Sequence, residues 1–170
     1  MALYRGAAAE AWEGLTAAWG ELERSMLLQV QAFRVQMRFL RARAALAASA
    51  AAREGRGGRR LREARSDAER LEGERTPWSD ALALLVRAGV AAREGDRGRE
   101  LASLDAAARG FDGAAMGMHA AVARRQRGLL LGGVSGAALV TEAEQWMTAQ
   151  RVARPEGIAA LLAPAAGSGA

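Results

Sequence analysis

Apolar residues recur along this chain at alternating spacings of three and four, the period of an amphipathic helix. Ala8, Trp12, Leu15, Trp19 and Leu22 predict a first helix over residues 7–23. Ser25 is a candidate cap for a longer second helix that carries Val30, Phe33, Met37, Leu40, Ala44, Ala47 and Ala51. The run Glu54, Gly55, Arg56, Gly57, Gly58 predicts a turn, since each glycine costs a helix about 1 kcal/mol. A third helix follows over 59–75 with Leu61, Ala64, Ala68 and Leu71. Thr76 and Pro77 read as the cap and first residue of a fourth, which passes through Trp78, Leu82, Leu85 and Ala92 and stops at Gly95. Asp96 caps a fifth with Leu101, Leu104, Ala108 and Phe111. A sixth runs from beyond Gly113 to Leu131, and Gly132 and Gly133 break it. Ser135 is expected to cap a seventh, over 135–150, carrying Leu139, Ala143 and Trp146. Pro155 opens a short last helix with Ile158, Leu161 and Leu162, and the residues from Pro164 onward form a flexible tail without a core-forming stripe. The expected organisation is therefore one helical domain over 1–163 and a tail over 164–170.

Three of these stripes superpose: Ala64, Ala68, Leu71; Leu104, Ala108, Phe111; and Leu139, Ala143, Trp146, at offsets of 40 and 35 residues. Each follows a glycine-containing turn and an Ala- and Leu-rich helix, which predicts a repeated helix–turn–helix unit. Tetratricopeptide repeats recur at about 34 residues and HEAT repeats at about 40 to 47, so the offsets point to an all-α stack of about eight helices in tetratricopeptide-like hairpins. In such a stack the large residue late in the second helix packs on the next unit.

Composition agrees. The chain of 170 residues is 51% hydrophobic, with 43 alanines against eight valines, four threonines and one isoleucine. Alanine is the best helix former and β-branched residues favour strands, so a sheet is disfavoured. There is no cysteine, which removes disulfides, thiolate zinc sites and thiol catalysis. Arg or Glu interrupts every apolar stretch before the roughly 18 residues of a membrane span. With neither a secretory signal nor a span in view, a cytoplasmic protein is expected, with no membrane partner.

The stretch from Trp78 through Gly95, Asp96, Phe111, Met116 and His119, then Ala123-Arg124-Arg125, Leu129 to Gly133, Ala138 to Ala143, Trp146-Met147 and Pro155 to Pro164, resembles the C-terminal end of large multi-domain bacterial serine/threonine protein kinases. Trp12 to Leu46 looks like an earlier piece of the same array. The resemblance implies tetratricopeptide-like helices that follow a kinase domain and act as its regulatory or scaffolding part. It also implies that the first helix of each hairpin lines the concave side, here the second, fourth and sixth. These carry Arg34, Arg38, Arg41, Arg87, His119 and Arg124, the candidate partner-binding residues.

Kinase chemistry itself is not expected from these residues. All 24 basic residues are arginine, so the phosphate-holding lysine of kinases and of Walker loops is missing. Phe111-Asp112-Gly113 reverses the first two residues of the kinase metal-binding triplet. The glycines near Gly55, Gly57 and Gly58 miss the dinucleotide spacing because Arg60 stands where the last should be. Gly133-Val134-Ser135-Gly136-Ala137 lacks the final glycine of a nucleophile elbow, which leaves Ser135 as a cap. His119 is the only histidine and reads as a structural one, and Glu142 and Glu144 lie two apart on a helix and diverge. No catalytic residue, cofactor or metal is assigned, and the chain is expected not to be an enzyme.

Charge offers the remaining chemistry. The net charge is +5, with 19 carboxylates interspersed. Arg34, Arg38 and Arg41 lie a quarter-turn from the stripe of the second helix, where stems can cover apolar surface while guanidiniums stay wet. Arg53, Arg56, Arg59, Arg60, Arg62 and Arg65 surround the first glycine turn, and Arg124, Arg125 and Arg127 form a third group. Facing one groove, such groups would take a protein or an acidic peptide through bidentate pairing. An arginine-rich nucleic-acid-binding domain is the alternative; the two later clusters lack the interleaved aromatics of a single-strand platform, and Phe33 and Phe39 beside the first read as core. The expected function is a non-catalytic protein–protein interaction module.

Overall fold

The capping chemistry written into the sequence sets the ends of the central helices. In the computed structural model, which describes residues 7–50 and 56–164, the helices are α1 (Ala8–Arg24), α2 (Gln31–Ala50), α3 (Arg56–Glu72), α4 (Pro77–Glu94), α5 (Arg97–Gly113), α6 (Gly117–Leu131), α7 (Gly133–Ala149) and α8 (Pro155–Leu162). A short 3-10 turn, Leu27–Gln29, precedes α2, and the described residues contain no strand. Thr76 accepts from the Ser79 amide while the Ser79 hydroxyl receives the Thr76 amide, a capping box completed by Pro77. Gly95 ends α4 in the left-handed region, φ 73°, and the Asp96 carboxylate then accepts from the Arg99 amide to begin α5.

Other ends differ from the sequence expectation. Ser25 closes α1 instead of opening α2: its hydroxyl donates to the Leu22 carbonyl, and the chain then makes the 3-10 turn. Gly57 and Gly58 lie inside the first turn of α3, where leading amides have no intrahelical acceptor and a glycine costs least. The expected turn residues Glu54 and Gly55, with Ala51 and Arg53, lie outside the described residues, as do 165–170 of the expected tail. α3 stops three residues early because Arg75 takes φ 54°, and the α5–α6 turn falls at 114–116 because Ala115 takes φ 56°. With Met26 before the 3-10 turn and Arg151 after α7, non-glycine residues carry four of the left-handed positions. Ser135 is not a cap; Gly132, at φ 70° and ψ −172°, is the residue before α7, a backbone region open essentially to glycine alone.

Connections of one to five residues fold α2 to α8 back and forth, each helix packed on the next in sequence, with α2 also touching α4 and α6 touching α8. The hairpins α2–α3, α4–α5 and α6–α7 follow one another along the stack. α4 is its centre and buries ten residues, among them Leu82, Leu85, Val86 and Gly89, while α1 has none fully buried. On α2 the buried stripe is Val35, Phe39, Ala42 and Leu46, not the expected set led by Val30, which is 58% exposed. Two apolar sets coexist on α2 because α1, α3 and α4 all pack against it, and the interior takes the one opposite to that expected.

The superposed stripes hold in two units out of three. Leu71 and Phe111 are fully buried, but Trp146 is 39% exposed and Met147 takes the interior position beside it. The indole lies across Gly117, where a methyl group would sit 2.7 Å from the ring, so Trp146 packs back on its own hairpin instead of onward. The cause is the closeness of α6 and α7: a methyl on Gly136 would come within 2.4 Å of the Gly128 carbonyl oxygen. The two helices meet there backbone to backbone.

Candidate functional site

Twelve ion pairs link arginines to carboxylates among the described residues, and eight of the arginines reach beyond their own helix. Their direction follows from the helical period: an arginine at the margin of a buried stripe has its guanidinium at the height of the adjacent helix. Arg34 reaches Glu74 with two hydrogen bonds of 2.5 Å, donates a third to the Leu28 carbonyl, and holds the Glu74 carboxyl below its ordinary range. Arg87 bonds Glu72 at 2.7 and 2.8 Å with the same effect. Arg65 pairs with Glu94, Arg124 with Asp112, Arg125 with Glu144 and Arg127 with Asp105.

Arg41 departs from its expected wet position. It is buried, its Nε donates to Asp67 Oδ2 at 2.8 Å and its Nη2 to Oδ1, and its guanidinium stacks 3.7 Å from the Trp19 ring centre. Asp67 is fully buried; desolvation pushes its carboxyl above the ordinary range, while the hydrogen bonds from Arg41 pull it back. A guanidinium cannot shed its proton to escape the interior, so it is found where a carboxylate fork meets it. Arg38 stands between these pairs, half-buried. Its Nε has no hydrogen-bond acceptor among the described residues, and desolvation, reinforced by Arg70, pushes its pKa down.

The six candidate residues therefore divide. Arg34 and Arg41 bind α2 to α3 and the residues just after it, with Arg38 between them; Arg87 ties α4 to α3, and Arg124 ties α6 to α5. His119 packs between Phe39 and Phe111, with ring centres 6.2 and 5.1 Å away, and desolvation together with Arg43 lowers its pKa to about 4. It is a neutral ring in an aromatic sandwich at neutral pH.

A different set of polar groups converges where α2, α4 and α6 meet. Arg43 lies 4.5 Å over the Phe39 ring and donates from Nη1 to the Leu161 carbonyl at 3.0 Å. Its Nε has no acceptor among the described residues, and burial pushes its pKa down to about 10. Gln126 on α6 donates to the Ala163 carbonyl at 3.4 Å. At Gly89 on α4 the missing side chain leaves room for Leu46 and for the Pro164 carbonyl, which would stand 3.3 Å from an added methyl. Side chains of α2 and α6 thus bond main-chain carbonyls of Leu161 and Ala163, and α4 leaves room for Pro164 at Gly89.

The sequence held a signal for this face that composition hid. Phe39, Arg43 and Leu46; Leu82, Val86 and Gly89; and His119, Val122 and Gln126 each keep the three–four spacing of a buried stripe. In each trio one or two members are not bulky hydrocarbons. A polar or missing side chain inside an apolar stripe marks a place where something polar must be met.

Among the described residues no helix is long and apolar enough to cross a membrane, and no group of three or more His, Asp or Glu is arranged to hold a metal ion. Compared with protein-family models, curated proteins and solved structures, the chain matches none of them.

Proposed function

We propose that this chain is a non-catalytic protein-interaction module, a tetratricopeptide-like stack of helical hairpins whose binding face is built by α2, α4 and α6. The carrying observation is that Arg43 and Gln126 donate to the main-chain carbonyls of Leu161 and Ala163 while Gly89 leaves room for Pro164. Side-chain donors that take carbonyl oxygens, beside a space kept open by a glycine, suit recognition of a protein segment. The resemblance to the C-terminal arrays of bacterial serine/threonine kinases supports a regulatory or scaffolding setting for it. Of the six residues expected to attract an acidic partner, Arg34, Arg41, Arg87 and Arg124 already pair with carboxylates of this chain, and Arg38 is the arginine among them whose Nε has no acceptor among the described residues.

The test is capture of a protein partner at about 150 mM salt with nuclease present, by the wild-type chain and by Arg43→Glu and Arg124→Gln. Retention by wild type and Arg124→Gln with loss in Arg43→Glu supports the reading. An affinity that needs nucleic acid and falls about 10³-fold between roughly 50 and 200 mM salt replaces it with the nucleic-acid alternative.

A further inference from the structure

The face that α2, α4 and α6 build is already filled by the chain's own residues 155–164, and the manner of filling is that of a ligand. The contacts fall on the last turn of α8, whose carbonyls have no partner within their own helix. Arg43 takes one at Leu161, satisfying it as a cation at a helix C-terminus does, and Gln126 takes the next at Ala163. Pro164 then lies over Gly89.

Less holds this segment than holds the helices beneath it. α8 has eight residues, too few for a helix to persist alone. Its fully buried residue is Ala159, joined by Ala163 just beyond; Ile158 and Leu162 pack on the core only half-buried, whereas α4 buries ten residues. Five residues, 150–154, connect it to α7. A segment held by few contacts on a short tether opens more readily than the core beneath it.

We infer that residues 155–164 are a displaceable internal occupant of the binding face, and that the partner it takes in trans presents the C-terminal turn of a short, alanine- and leucine-rich helix. This rests on the reading of the face as a protein-binding site. The tethered segment competes at an effective concentration of order millimolar, so a free ligand meets an open face only in the fraction of molecules whose α8 has left. The same carbonyl-directed donors then serve both occupants.

Hydrogen exchange of the wild-type chain reads the first half. Amides of 158–163 are expected to exchange at least ten-fold faster than those of α4; exchange in step with α4 overturns the inference and leaves the binding reading standing. For the second half, Ala159→Arg in the full chain places a long cation where an alanine is 1% exposed and expels the segment. A fluorescent synthetic peptide of residues 152–164 should then bind Ala159→Arg at least ten-fold tighter than wild type, and Arg43→Gln added to that variant should abolish the gain. Equal weak binding by both chains, with the segment shown open by exchange, overturns the binding reading as well. If Ala159→Arg fails to fold, the wild-type exchange rates still decide displacement.

Discussion

The hairpins α2–α3 and α6–α7 are joined by opposite means. Between α2 and α3 lies a buried Arg41–Asp67 fork, with the Arg34–Glu74 pair beyond it. Between α6 and α7 the side chains disappear: Gly128 and Gly136 bring backbone against backbone, and Trp146 lies flat on Gly117. The first seam depends on a charge having its partner, the second on an atom not being there. Helix pairs of one chain can be fastened by electrostatics or by shape, and each fails to a different substitution.

The largest expected effect breaks the first seam. Asp67→Ala leaves the Arg41 guanidinium buried without its carboxylate and should cost about 3–5 kcal/mol in chemical denaturation. Arg41→Met combined with Asp67→Leu, removing both charges, should recover most of that loss, since the desolvation of both groups disappears with them. A double variant as unstable as Asp67→Ala would mean that shape, not charge, holds this seam too.

His119 sits where the two regions touch, against Phe39 of α2 and Phe111 of α5. An unfolded histidine takes a proton below about 6.5, but the folded one resists until about 4. Protonation therefore favours the unfolded chain, and stability should fall by up to about 3 kcal/mol as pH drops from 6.5 to 4. His119→Gln should flatten urea-denaturation midpoints across the upper part of that window. Glu72 and Glu74, held low by Arg87 and Arg34, should add their losses only at more acid pH, as they protonate. A slope unchanged in His119→Gln would refute this assignment.

Gly136→Ala sharpens the second seam. A methyl there meets the Gly128 carbonyl and should cost about 1–3 kcal/mol, with faster hydrogen exchange confined to α6 and α7. The opposite sign is expected at Gly14 in α1, whose added methyl meets nothing within 4 Å: Gly14→Ala should raise stability by about 0.5–1 kcal/mol. Two identical substitutions with opposite signs would separate a glycine needed for contact from one that only weakens its helix. Equal signs in thermal melts would remove the backbone approach from the account of α6–α7.

How much of this could be read in advance depends on how local the cause is. Thr76-Pro77, Gly95-Asp96 and Pro155 were legible because a cap is made by neighbours in sequence. Arg75 and Ala115 were not, since a non-glycine residue enters the left-handed region only when the packing of the helices on either side requires it. The stripe on α2 was misplaced because two apolar sets share one helix and only tertiary contacts decide which is interior. Of the candidate site, Arg43 and Gln126 lie on helices expected to carry partner-binding residues but were not among those residues. Arginine spacing found guanidiniums beside carboxylates of neighbouring helices, whereas Arg43 and Gln126 were hidden by lying inside stripes that look apolar.

Because every cation stitching one helix to the next is an arginine and the chain has no lysine, the stitching offers no side-chain amine to acylate. Acetylating enzymes and amine-directed cross-linkers have no purchase on these contacts, and alkali that would discharge an ammonium leaves the guanidinium charged. Acid and salt remain the agents that can loosen them. Of the two partners in each of these ion pairs, the carboxylate is therefore the one whose charge a change of pH can remove.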